Sequence, residues 1–184
     1  MSDTIALWQA EHRHFSRLLD LLDQQMVAFH ADDRPNYELM LDVVSYLRYF
    51  PDRYHHPRED AAFARLVKRD PELKPVIDRL LQEHRVIAAS GTELLTYLEQ
   101  VVEDVMIERA KVEAAAATYV VYYRRHLALE DRDIVSRAEQ LLTPQDWEAV
   151  LAAIPTGPDP LFGENAEPRY RELRRQIALA AAEV

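Results

Sequence analysis

Tyr54-His55-His56-Pro57-Arg58-Glu59 and, far downstream, His126-Leu127-Ala128-Leu129-Glu130 are the stretches whose reading decides the fold. In each, a His is followed four residues later by a Glu. On an α-helix that step turns about 40° past a full circle, so both side chains leave one face a turn apart, as a metal-chelating pair requires. Glu11-His12-Arg13 precedes the first pair as Glu83-His84-Arg85 precedes the second. His12 and His55 are 43 residues apart and His84 and His126 are 42 apart, so the chain repeats itself.

Composition narrows the chemistry. The 184 residues suit one domain with a single core, and the absence of Cys excludes disulfides, thiol nucleophiles and cysteine-ligated zinc or iron–sulfur sites. Any metal must be held by His and carboxylates. Only Gly91, Gly157 and Gly163 are glycines, which excludes glycine-rich phosphate loops. A formal charge of −10 opposes nucleic acid and anionic membrane surfaces. Met1 to Trp8 lacks a signal-peptide pattern, and no run approaches the roughly 18 apolar residues of a membrane span. The expectation is a cytoplasmic protein with neither nucleic-acid nor membrane partners.

The apolar pattern is helical throughout. Ile5, Trp8, Phe15, Leu18, Leu19, Leu22 and Met26 recur at three- and four-residue steps, predicting a helix over residues 4–29. Asp32-Asp33-Arg34-Pro35 breaks it, with Pro35 expected in the first turn of a second helix that turns Tyr37, Met40, Leu41, Val44 and Leu47 inward. Pro51 and Pro57 are expected to kink that helix around His55 and Glu59 without separating side chains one turn apart. Asp70-Pro71 reads as an N-cap and first helical position, starting a third helix through Val76, Leu80, Ile87, Leu94 and Leu98. A boundary near residues 101–105 leads to a fourth helix carrying Tyr119, Tyr122, His126, Leu129 and Ile134 and fading near Leu142. Thr143-Pro144-Gln145-Asp146 opens a short fifth helix, residues 155–167 form a loop, and residues 168–181 a last helix. The predicted fold is all-α: an up-down-up-down four-helix bundle over residues 1–142, with C-terminal helices over 143–184 packing on it.

Helix geometry tests the repeat. His12 lies about 21 residues before the turn near residue 33 and His55 about 22 after it, so at ~1.5 Å per residue both reach one height. From the turn near residue 70, His55 lies about 15 back and His84 about 14 on; from a turn near residue 103, His84 lies about 19 back and His126 about 23 on, a looser match. Four His therefore reach one layer, with Glu59 and Glu130 about one turn away. Four imidazoles and two carboxylates are too many donors for one tetrahedral zinc and too rich in nitrogen for magnesium or calcium. They suit two first-row metals, each taking two His, with Glu59 and Glu130 bridging.

His12, the HHPRED segment from His55 to Asp60, His84 and the H-x-x-x-E of His126 to Glu130 resemble the hemerythrin-like HHE cation-binding proteins over roughly residues 4 to 140. The resemblance implies a hemerythrin-like bundle around a non-haem di-iron centre, with His12, His55, Glu59, His84, His126 and Glu130 as ligands and dioxygen or nitric oxide as the diatomic partner. Two iron ions rest on that resemblance; the donors themselves accept manganese or zinc as well. Oxygen-carrying hemerythrins have a further His one turn after the third-helix ligand, where this chain has Ala88. Ala88 and Gly91 are both small, so open coordination positions or water are expected on that side. The four-His, two-Glu set is similar to the di-iron domain of bacterial iron-centre repair proteins, which usually carry a cysteine-bearing N-terminal segment, whereas this sequence contains no Cys.

Among neighbouring residues, His14 is about 200° round from His12 and is expected to face away. His56, about 100° from His55, is expected beside the site or at the surface rather than as a ligand. His30 suits the negative end of the first helix. Trp8 and Phe15 are expected to dry the site, Tyr122 and Tyr123 to pack as aromatics, and Glu11 and Glu83 either to orient imidazoles or to face solvent. Three functions fit: a di-iron protein binding dioxygen or nitric oxide for sensing, storage or stress protection; an enzyme that reduces the oxidant, or an iron donor in iron-centre repair; and a metal-free helical interaction module.

Overall fold

A computed structural model describes residues 3–31, 33–163 and 166–182. Its long elements are α1 (Asp3–His30), α2 (Tyr37–Phe50), α3 (His56–Arg69), α4 (Lys74–Val102) and α5 (Arg109–Asp133). Shorter helices follow: α6 (Val135–Leu141), α7 (Pro144–Ala153) and α8 (Arg171–Ala182). The described residues form no strand. α1 packs on α2 and α5, and α4 packs on α2 and α5, closing a helical bundle in which α2 and α3 together make one leg.

Local chemistry explains the boundaries. Asn36 caps α2 by accepting from the Leu39 N–H at 3.0 Å, so Pro35 stands one residue ahead of the cap and not in the first turn as expected. Asp32, part of the predicted break, lies outside the described residues, as does the His30 side chain. Asp70 accepts from the Glu72 N–H and Pro71 opens a 3₁₀ turn into α4, as its sequence indicates. The α4–α5 boundary needs no glycine because Asp104 takes the left-handed conformation, with φ 60°, and Val105 N–H closes back on the Gln100 carbonyl. Thr143 and Asp146 form a reciprocal capping box on α7. The fourth helix stops at Asp133 instead of fading near Leu142; after Ile134 the chain restarts as α6.

The join between α2 and α3 is a π-turn over Pro51–His55, where a kink was expected. Pro57 has no N–H to give the Arg53 carbonyl that an α-helix would pair with it, and the His56 N–H instead reaches the Pro51 carbonyl, five residues back. The chain gains one residue in that turn and continues directly into α3.

Apolar side chains bury in two clusters. One holds Ile5, Trp8, Phe63, Leu66, Leu80 and Ile134. The other runs from Phe15 through Leu47 and Ile87 to Tyr123 and includes Leu161, Tyr170 and Leu173 from the C-terminal region. Along α1, Glu11 and His12 lie between Trp8 and Phe15; along α4, His84 lies between Leu80 and Ile87. The buried polar residues therefore form a layer between the apolar halves. Beyond it, Tyr46 donates to Asp159 at 2.9 Å, and Trp147 of α7 packs edge-on against Trp8, with centroids 6.4 Å apart.

Gly91 does not leave coordination space, as its size suggested. A Cβ there would meet Arg48 Cδ at 2.5 Å and Tyr119 Cε2 at 2.8 Å, so both side chains already fill the gap. Gly91→Ala gains up to about 1 kcal/mol of helix propensity and loses about 1–3 kcal/mol to overpacking. The expected outcome is a lower thermal unfolding midpoint than wild type, measured by circular dichroism.

Candidate metal centre

All six residues singled out by the repeat are buried in one layer: His12 from α1, His55 at the end of the π-turn, Glu59 from α3, His84 from α4, and His126 and Glu130 from α5. The structure brings them together. Glu59 Oε1 lies 2.8 Å from His55 Nε2 and 3.2 Å from His12 Nε2, while its other oxygen lies 3.3 Å from His84 Nε2. Glu130 mirrors it, with Oε2 3.3 Å from His126 Nε2 and 3.4 Å from His12 Nε2, and Oε1 3.6 Å from His84 Nε2. Each carboxylate thus faces imidazoles on both sides of the layer.

The outward nitrogen of every one of these imidazoles meets a carboxylate. Nδ1 of His12 lies 2.8 Å from Asp131, that of His55 2.7 Å from Glu11, that of His84 2.8 Å from Asp60 and that of His126 3.4 Å from Glu83. A proton on Nδ1 donated to such a partner fixes the tautomer and turns the Nε2 lone pair to the centre. Glu11 and Glu83, for which solvent was the alternative, therefore stand behind His55 and His126. Glu11 is held in turn by the Arg58 guanidinium at 2.5–2.6 Å, and Trp8 Nε1–H donates to His12 Nε2 at 2.9 Å.

Of the two places expected for His56, beside the site or at the surface, the structure shows the first: it is only 5% exposed and packs against the cluster. Its ring stacks on His84 with centroids 4.4 Å apart, and its Nδ1 meets Asp52 at 3.1 Å. The donor atoms fall into two groups, His12–His55–Glu59 and His56–Glu59–His84–His126, each within 4.8 Å throughout and with Glu59 in both. The only sequence signal was the His-His doublet between two prolines, which carries its meaning once a π-turn is known. Among the other candidates, His14 faces away, stacked on Phe162 at 3.9 Å. Tyr122 is 44% exposed, and Tyr123 is buried with its hydroxyl 3.4 Å from His56 Nε2. The inward face of α5 runs through Tyr119, Tyr123 and Leu127, one step round from Tyr122.

The donor set fits metal cations. Glu59 Oε2, Nε2 of His84 and His126, and both Glu130 oxygens are buried without a hydrogen-bond partner among the described residues. Buried polar atoms left this way are costly unless a further group satisfies them. Nitrogen and carboxylate oxygen without sulfur suit first-row divalent metals. A cavity of about 20 Å³, lined by Trp8, Glu11, His55, Arg58, Glu59 and Trp147, reaches the layer between α1, α3 and α7.

Electrostatics in the metal-free chain follow the same contacts. Burial pulls the His12 imidazolium down, but Asp131, Glu59 and Glu130 outweigh it and carry its pKa up to about 10. Burial likewise opposes the His84 charge, while Asp60, Glu130 and Glu59 raise it to about 12. Burial works against the Glu59 charge, yet His55, His12 and His84 hold it well below the usual carboxylate range. His56 goes the other way, kept neutral by burial and by the neighbouring His84. Raised His pKa values stabilise the fold fully below the unfolded value near 6.5 and lose that contribution as pH rises toward the folded values. Metal binding needs neutral imidazoles and strengthens with pH. The metal-free protein is therefore expected to lose thermal stability from about pH 6.5 to 9.5, while the stabilisation added by metal grows over the same range. Unfolding midpoints with and without chelator check both slopes.

None of the curated proteins compared with the chain matches it. Residues 3–138 match the family described as Hemerythrin HHE cation binding domain. The match covers α1 to α5 and every residue of the buried layer, and the chain belongs to the hemerythrin HHE cation-binding family.

Proposed function

We propose that the buried layer is a non-haem di-iron centre that binds dioxygen or nitric oxide for sensing, storage or stress protection in the cytoplasm. The observation that carries this reading is Glu59, whose two oxygens face separate imidazole groups, His12 and His55 on one side and His84 on the other. A single-metal site has no use for a carboxylate turned both ways, and Glu130 also reaches both groups, with Oε2 near His12 and His126 and Oε1 near His84. His12, His55, Glu59, His84, His126 and Glu130 are the proposed ligands. Iron over manganese or zinc rests on the family.

A bound iron pair supplies an exchangeable coordination position and reversible change of oxidation state. The chain's own residues do the rest. Asp131, Glu11, Asp60 and Glu83 hold the Nδ1 protons and so fix ring orientation. Trp8, Phe15 and Phe63 pack against the imidazoles and exclude bulk water. The cavity bounded by Trp8 and Trp147 has room for about one water-sized molecule, which supports a diatomic ligand over a larger substrate.

Protein purified without added chelator or metal is expected to contain close to two irons per chain by elemental analysis. Glu59→Ala should lose more metal than His12→Ala, since Glu59 faces both imidazole groups. Metal content that is low and unchanged across wild type, His12→Ala and Glu130→Ala would support a metal-free module instead. A reversible spectral change of the reduced protein with dioxygen or nitric oxide, without net consumption, supports binding; sustained consumption supports the enzyme reading.

A further inference from the structure

His56 is the buried chemical group that the six-residue set leaves unused. On an uninterrupted α-helix His55 and His56 would point about 100° apart, and only one would enter the layer. The π-turn over Pro51–His55 changes this: both rings are buried with centroids 5.6 Å apart, and His56 reaches 5.8 Å from His126 as well as stacking on His84. Asp52 meets its Nδ1, the same carboxylate-behind-imidazole arrangement that the other four histidines have. Asp52 is itself ion-paired to Arg48, which fills the space beside Gly91. That leaves Nε2 for the layer, where its contact with the Tyr123 hydroxyl at 3.4 Å is too long for a good O–H···N bond.

We propose that His56 is a fifth imidazole ligand, holding one ion together with His84 and His126, while His12 and His55 hold the other. This rests on the reading of the layer as a dinuclear centre. The small Ala88 side chain on α4 is then no deficit, because the imidazole arrives from the neighbouring helix. It also makes the centre unequal. Three imidazoles serve one ion and two the other, so the ion with fewer protein donors lies on the side of His55, which lines the cavity with Trp8 and Trp147. A small ligand entering by that route meets the less crowded ion.

The test counts imidazoles directly. High-spin cobalt(II) shifts the Nδ1 proton of each bound imidazole far from the diamagnetic range, and carboxylate partners slow its exchange. Proton NMR of the protein loaded with two cobalt ions should show five such signals in water that vanish in deuterium oxide. His56→Gln should show four and bind one of the two ions at least about tenfold more weakly. Two bound cobalt ions with only four signals in wild type would overturn the role of His56 and leave the dinuclear centre standing. Failure of wild type to take two cobalt ions would overturn the dinuclear reading itself. The wild-type count stands whether or not the variant folds.

Discussion

Glu59, 2% exposed and surrounded by His12, His55 and His84, is the constraint on which the rest of the structure depends. An ion taken out of water loses several kcal/mol of solvation, which only close, well-aligned partners can return. Here the partners are imidazoles, themselves buried and in need of support, so the requirement passes outward. His12 leans on Asp131, His55 on Glu11 and His84 on Asp60, and Glu11 leans on Arg58. Asp60 and Asp131 are about half exposed, so the network ends at solvent on those sides. The apolar clusters above and below hold the layer in register: Trp8 and Phe63 on one side, Phe15 and Tyr123 on the other.

Register is set most sharply at the π-turn. Two prolines six positions apart would ordinarily be read as damage to a helix, because each removes a donor and favours a bend. Pro51 instead supplies the carbonyl that closes the wider turn, and Pro57 sits in the first turn of α3, where a missing N–H does no harm. Adjacent residues then share the inward face, and His55 and Glu59 remain close enough for a 2.8 Å contact. π-turns inside α-helices recur at functional sites because the added residue redirects side chains without ending the helix.

Among the described residues, the region after α5 adds none to the buried polar layer yet touches its surroundings. Trp147 of α7 closes over Trp8, the residue that donates to His12, and α7 itself packs on α3. On the other side of the layer, Phe162 covers His14 and Asp159 accepts from the buried Tyr46 hydroxyl. The family match ends at residue 138, so these contacts come from outside the matched region while bordering its site.

Helix periodicity, the capping signals at Asp70 and Thr143 and the paired His-x-x-x-Glu spacings were enough to determine an all-α bundle and to bring His12, His55, Glu59, His84, His126 and Glu130 to one height, because these depend only on rise and rotation along single helices. Capping without glycine at Asp104 and the restart after Ile134 were less legible, since each depends on backbone choices that several residue types allow. Inward direction within a doublet was decided by tertiary structure alone. The sequence weighed Tyr122 equally with Tyr123 and left His56 either beside the site or at the surface; Tyr123 and His56 are the ones buried. Gly91 likewise looked like open space until Arg48 and Tyr119 were seen to occupy it. A single-helix projection cannot anticipate a π-turn that rotates everything after it, nor which neighbour fills a gap, because both are fixed by packing between helices.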